Sequence, residues 1–221
     1  MGSALEQAAG PPDVVIFSAP DALRIPAPDE LRIAATGGLT AAPDLLARAA
    51  PDVLTLAQIN VDAVETLLSR HGLKLQRVAD GEAIPGSYWG DSEAGLIADT
   101  VFARSDTPVH SLLHEAAHLL VMPEARRDAV HTDASDSIAE EDAACYLQIL
   151  LAGLLPGVGS DRLMADMDAW GYSFRLGSAR AWFEHDAEDA RLFLQRQKPA
   201  LWVSCLKAQW PDLRHRAKPR S

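Results

Sequence analysis

Cysteine is scarce in this chain. Cys145 and Cys205 are the only two in 221 residues. Two isolated thiols build neither a disulfide framework nor a thiolate metal site, and free thiols suit a reducing cytoplasm, the expected location. Positive charge is also short. Twenty Lys and Arg stand against 31 Asp and Glu, for a net charge of −11, and no basic stripe forms. A nucleic-acid partner bound through its phosphates is therefore not expected. No stretch approaches eighteen uninterrupted apolar residues, so no membrane span is expected. The N-terminus lacks the charged and then apolar opening of a secretory signal. Internal repeats and low-complexity tracts are missing too.

Apolar residues make up 48% of the chain, enough for one domain with a sizeable core, plus an arm. Residues 1–58 are rich in Pro, Ala and Asp and read as an arm, with a short strand at Val14–Phe17 and a helical turn or two at Asp44–Ala50. Residues 59–213 form the domain, and residues 214–221 a basic tail.

Within the domain, Asn60 is placed to cap a helix carrying Val61, Val64, Leu67 and Leu68 on one face, and Gly72 to stop it. Leu73–Val78 alternates as a half-buried strand, and Gly95–Ala103 reads as a second. Thr107 or Asp106 caps the next helix, with Pro108 at its first position, and Pro123 ends it. Residues 123–136 are an irregular connection. Ser137 starts a helix over Ile138–Gly153. Ser160 caps a short one through Met167, Ser178 caps Ala179–Glu184, Asp186 opens another to Gln197, and Pro199 starts the last.

The helix after Pro108 contains His114-Glu115-Ala116-Ala117-His118. Residues four apart on a helix lie one turn apart on the same face, so the two imidazoles can share one small cation. Neutral imidazole is a good zinc ligand. Glu115 follows the first ligand and can take a proton from water, the metalloprotease arrangement. The competing reading is two core histidines bonded to backbone beside a solvated Glu115.

Catalytic zinc usually takes three protein ligands. The third is sought in Ser137–Leu147, where Glu140 and Glu141 stand 22 and 23 residues beyond His118. Glu140 shares a face with small, apolar Ala143 and Ala144. Glu141 shares its face with Cys145 and Gln148, a more polar stripe. The packed face favours Glu140, with Glu141 as the alternative.

A His-Glu-x-x-His helix followed by a glutamate helix resembles the gluzincin class of zinc metallopeptidases. Residues 140–151 are similar to the Glu-x-x-Ala-x-x-Phe-Ala-x-x-Leu-Leu run of ImmA/IrrE-like proteins, with Glu140 in the ligand position and Tyr146 in the aromatic one. The similarity covers residues 60–155. It implies an α+β, zincin-like fold with a small, mostly antiparallel sheet, an active-site helix, a glutamate helix and a helical C-terminal body. It also implies Zn2+ as cofactor, a peptide or protein substrate, and a strand at 95–103 able to hold an extended peptide by strand addition. Residues 131–148 and 168–184 further resemble a group of bacterial proteins, a likeness that brings no activity with it.

Around this nucleus, Tyr172 and Tyr88 are candidates to stabilise a tetrahedral intermediate, against a packed-aromatic reading. His131 could assist an oxyanion. Asp133 or Asp136 could orient a ligand imidazole. His110, one turn before His114, reads as an exposed rim residue, and Cys145 as a buried small hydrophobe. The expected function is zinc-dependent peptide hydrolysis. The alternative is a catalytically silent, zinc-stabilised peptide-binding or regulatory module of the same fold.

Overall fold

The computed structural model describes residues 51–88, 90, 92–132 and 137–209. The readings of 14–17, 44–50, Asp133, Asp136 and 214–221 lie outside them. The described chain is a mixed α and β fold of eight α-helices and a three-stranded sheet, with the helices Val61–Ser69 and Val109–Val121 packed on the sheet. None of these helices is long and apolar enough to cross a membrane.

Packing begins at Val53 and Leu56, both buried around a 3-10 turn at Leu56–Gln58. Helix α1 spans Val61–Ser69. Asn60 caps it by accepting the Ala63 N–H at 3.2 Å, and Val64, Leu67 and Leu68 are buried. Gly72, at φ +73°, turns the chain out of it, and Leu73 N–H closes back onto the Leu68 carbonyl. Strand β1 follows at Lys74–Arg77.

The stretch expected as one strand over 95–103 is a hairpin. β2 (Gly95–Ile97) and β3 (Thr100–Ala103) pair antiparallel, with Leu96 opposite Val101. Ala98, at φ +52°, and Asp99 form the reversal. A two-residue turn preserves the period-2 alternation, so the pattern conceals it. The Asp99 carbonyl accepts the Lys74 N–H at 2.9 Å, and its carboxylate pairs with Lys74 Nζ at 2.8 Å. β1 runs parallel to β3, giving the order β1-β3-β2 with one parallel and one antiparallel pair, not a mostly antiparallel sheet. β3 is therefore central. The outward groups of β2 are occupied by the chain itself: Leu96 N–H donates to the Gly86 carbonyl, Thr132 N–H to the Leu96 carbonyl, and Ala98 N–H to the Val130 carbonyl. Gly86 and Gly95 permit this approach, because a Cβ on Gly95 would stand 2.1 Å from the Pro85 oxygen. The expectation of peptide addition along 95–103 is corrected accordingly.

Helix α2 (Val109–Val121) runs through the core. Every residue in it is buried except Glu115. Pro108 occupies its N-cap, while the Thr107 hydroxyl accepts the Arg104 N–H instead of capping. The buried start of α2 is satisfied from the N-terminal side, where Val109 N–H donates to the Leu54 carbonyl at 2.8 Å. At its other end, Arg127 Nε donates to the Leu119 carbonyl and Lys198 Nζ to the Met122 carbonyl, two cations at the negative end of the helix. Part of the connection expected as irregular is a single turn, α3 (Glu124–Arg127).

Helix α4 (Ile138–Ala152) is capped by Ser137 Oγ and packs along α2, with Ala143 through Ala152 all buried. α5 (Ser160–Trp170) starts from Gly159. The Ser160 hydroxyl donates to the Ile149 carbonyl and does not cap. α6 (Ala179–His185), α7 (Glu188–Gln197) and α8 (Pro199–Gln209) complete the helical body. Ser178 caps α6 as expected, whereas α7 begins after Asp186, which pairs with Arg175.

Candidate metal centre

Four-residue spacing on α2 brings the two imidazoles together. His114 Nε2 and His118 Nε2 are 2.8 Å apart, with the rings nearly perpendicular, and both side chains are buried. The carboxylate that meets them is Glu141. Its Oε1 is 3.3 Å from His114 Nε2, and its Oε2 is 3.5 Å from His118 Nε2. Glu140, favoured by the packed-face argument, is elsewhere. Its two oxygens take three hydrogen bonds of 3.1 Å from the Arg126 guanidinium. Neighbouring residues on a helix are about 100° apart around the axis, so only one of the two can face α2 at this level. The polar stripe that argued against Glu141 is itself buried: Cys145 and Gln148 are both fully enclosed.

The electrostatics follow from that enclosure. Burial, then the neighbouring His114, pushes the His118 pKa down to about 3, so the ring is neutral. Burial also acts to lower His114, but the Glu141 hydrogen bond and charge, with Glu115 and Glu93 behind them, hold it above the usual histidine value.

Cys145 belongs to the same group, which the sequence reading missed. Single donor atoms of His114, Glu141 and Cys145 lie within 4.8 Å of one another. The signal was available, since Cys145 is one turn beyond Glu141 on the same face of α4. Burial, with Glu141 and Asp142 nearby, raises the thiol well above its ordinary pKa.

Tyr172 is brought to the cluster. Its ring is 6.3 Å from that of His114, and its hydroxyl is 3.4 Å from His110 Nδ1. Desolvation, then the charges of Cys145, Glu93, Glu115 and Glu141, keeps the phenol protonated. His110 is 1% exposed, not a rim residue, and its ring is 5.0 Å from Trp170. Trp170 Nε1 in turn donates to Glu93 Oε1 at 3.2 Å. Glu93 was not anticipated; it precedes the short segment in which Ala94 N–H donates to Ser111 Oγ of α2. Tyr88 is 66% exposed. His131 is exposed, pairs across to Ile97, and has its Nδ1 2.8 Å from the Thr132 hydroxyl. Neither contact is with the histidine pair.

The donor set is chemically suited to a divalent cation. Donors bound tetrahedrally at about 2.0–2.1 Å stand roughly 3.3 Å apart. The two carboxylate–imidazole separations of 3.3 and 3.5 Å match, and the histidine pair need open by only about half an ångström. Glu115 is the one residue of α2 that reaches partial exposure, and its charge acts on His114. Comparison with family models, with curated proteins and with solved structures finds no match for this chain.

Proposed function

We propose that the protein is a zinc-dependent hydrolase of the metallopeptidase type, with a zincin-like core, in which His114, His118 and Glu141 hold the cation and Glu115 is the general base. The observation that carries the reading is the convergence of two buried imidazoles and a partly buried carboxylate from two packed helices, beside a glutamate that alone on its helix reaches partial exposure. Zinc held by these three residues would supply Lewis acidity, making water more acidic and polarising a carbonyl. Glu115 takes the proton of the attacking water and returns it to the leaving amine. Tyr172, protonated and beside His114, is a donor for negative charge developing on the carbonyl oxygen. Because the outward groups of β2 are taken by residues 86, 130 and 132, the substrate is held by side chains and not as an added strand.

A second reading is a zinc-stabilised binding or regulatory module without catalysis. The nearness of Cys145 favours it, because a fourth protein donor makes the closed kind of site. One pair of measurements separates them. In Glu115→Gln, zinc content should equal wild type while peptide hydrolysis falls by about 10²–10⁴-fold. His114→Ala should lose the metal. A zinc-loaded wild type that cleaves nothing in a broad peptide library leaves the module. A wild type that takes up no zinc removes both.

A further inference from the structure

We infer that Cys145 Sγ is a fourth donor to the cation held by His114, His118 and Glu141, so that this thiolate and water compete for one coordination position. The inference rests on the metal reading above and concerns how that site is gated. Three observations support it. The sulfur shares a 4.8 Å cluster with donor atoms of His114 and Glu141. Cys145 stands one turn after Glu141 on α4, the helix that packs along α2, so helical spacing puts the sulfur on the same side as the Glu141 carboxylate. The residue is completely buried, at 0% exposure, so the sulfur is shielded from bulk solvent beside the donor atoms.

The contrast with Cys205 is informative. It too is buried, but it is on α8 and outside the His114–Glu141–Cys145 group. Both are free thiols, so neither is held in a disulfide. Zinc binds thiolate at about 2.3 Å and imidazole at about 2.0–2.1 Å, and two imidazoles, a carboxylate and a thiolate fill a tetrahedral shell. The proton leaves the thiol as the cation binds, so uptake releases protons. With sulfur bound, the four protein donors would leave no tetrahedral position for water and would hold the hydrolase at rest. With sulfur swung away, the position opens. A soft sulfur donor also shifts the site toward zinc and cobalt over magnesium or manganese.

The test is cobalt substitution of the purified chain, read by absorption. Wild type should show visible bands of a low-symmetry four-coordinate ion together with a near-ultraviolet sulfur-to-cobalt charge-transfer band. Cys145→Ser should keep the visible bands and lose the near-ultraviolet one, while Cys205→Ser keeps both. Visible bands without the sulfur band in wild type, or a sulfur band surviving in Cys145→Ser, overturns the inference and leaves the metal reading standing. No cobalt uptake by wild type overturns both. X-ray absorption at the zinc edge of wild type gives the same answer without any variant: a sulfur shell at about 2.3 Å supports the inference, and a shell of light atoms alone sinks it.

Discussion

Helices α2 and α4 supply the same cluster in different ways. α2 presents His114 and His118 through spacing alone: wherever that helix packs, the two rings stay one turn apart. α4 presents Glu141 through packing, because which of two adjacent glutamates faces α2 depends on the rotation of α4 about its own axis. That rotation is set by the burial of Ala143 through Ala152 and by the Arg126 clamp on Glu140. A donor pair encoded within one element tolerates shifts between elements. A donor delivered across an interface does not.

The largest effect expected from this contrast is on metal affinity. Glu141→Gln should weaken zinc binding by more than the about 10–100-fold typical of residues that merely support a ligand. Glu140→Gln should retain stoichiometric zinc by elemental analysis. The reverse result would mean that α4 is turned by one residue. The interface itself can be loosened. Leu147→Ala, fully buried on α4, should cost about 2–5 kcal/mol in denaturant unfolding. If packing sets the register, zinc affinity falls with it; unchanged affinity would show that α4 is held by its ends.

Acid should act on α2 through His110, whose pKa burial pushes down to about 3. The unfolded chain protonates this ring below about pH 6.5 while the folded one does not. Its stabilising contribution is therefore complete above that pH and is lost progressively as pH falls toward 3. His110→Phe, which keeps the ring contact with Trp170, should flatten the pH dependence of metal-free stability by on the order of 2–3 kcal/mol at pH 4. An identical slope in the two proteins would rule this out. The smallest effect is that of Glu140→Gln on folding. Its partly buried Arg126 pair should be worth about 0.5–1.5 kcal/mol, and a larger loss would make the clamp a principal determinant of α4 orientation.

Much of this arrangement was legible. Asn60, Ser137 and Ser178 announced their helices, and Pro108 and Pro123 bracketed α2, because caps and breakers act locally. The meeting of His114 and His118 on one face of α2 was legible for the same reason. The hairpin at Ala98-Asp99 was not, since alternation survives a two-residue reversal. The choice of Glu141 over Glu140 was not, because small Ala recurs three residues beyond either glutamate and the more polar stripe favoured the wrong one. The distinguishing fact is that Tyr146 stacks on Phe183 at 4.5 Å, on the helical body and not against α2. The polar stripe Glu141, Cys145 and Gln148 was taken for a wet face. Buried polar residues are costly unless they have a task, so such a stripe inside an apolar helix points inward to a site.

The closed outer rim of the hairpin reaches beyond the chemistry. Sheets with bare rims recruit strands from other molecules and seed insoluble assemblies. Here Leu96 has both main-chain groups engaged, and the opposite rim at Lys74–Arg77 carries two cations and a glutamine that make stacking costly. So small a sheet, set beside so apolar a helical body, is thereby protected from becoming a template for fibrils.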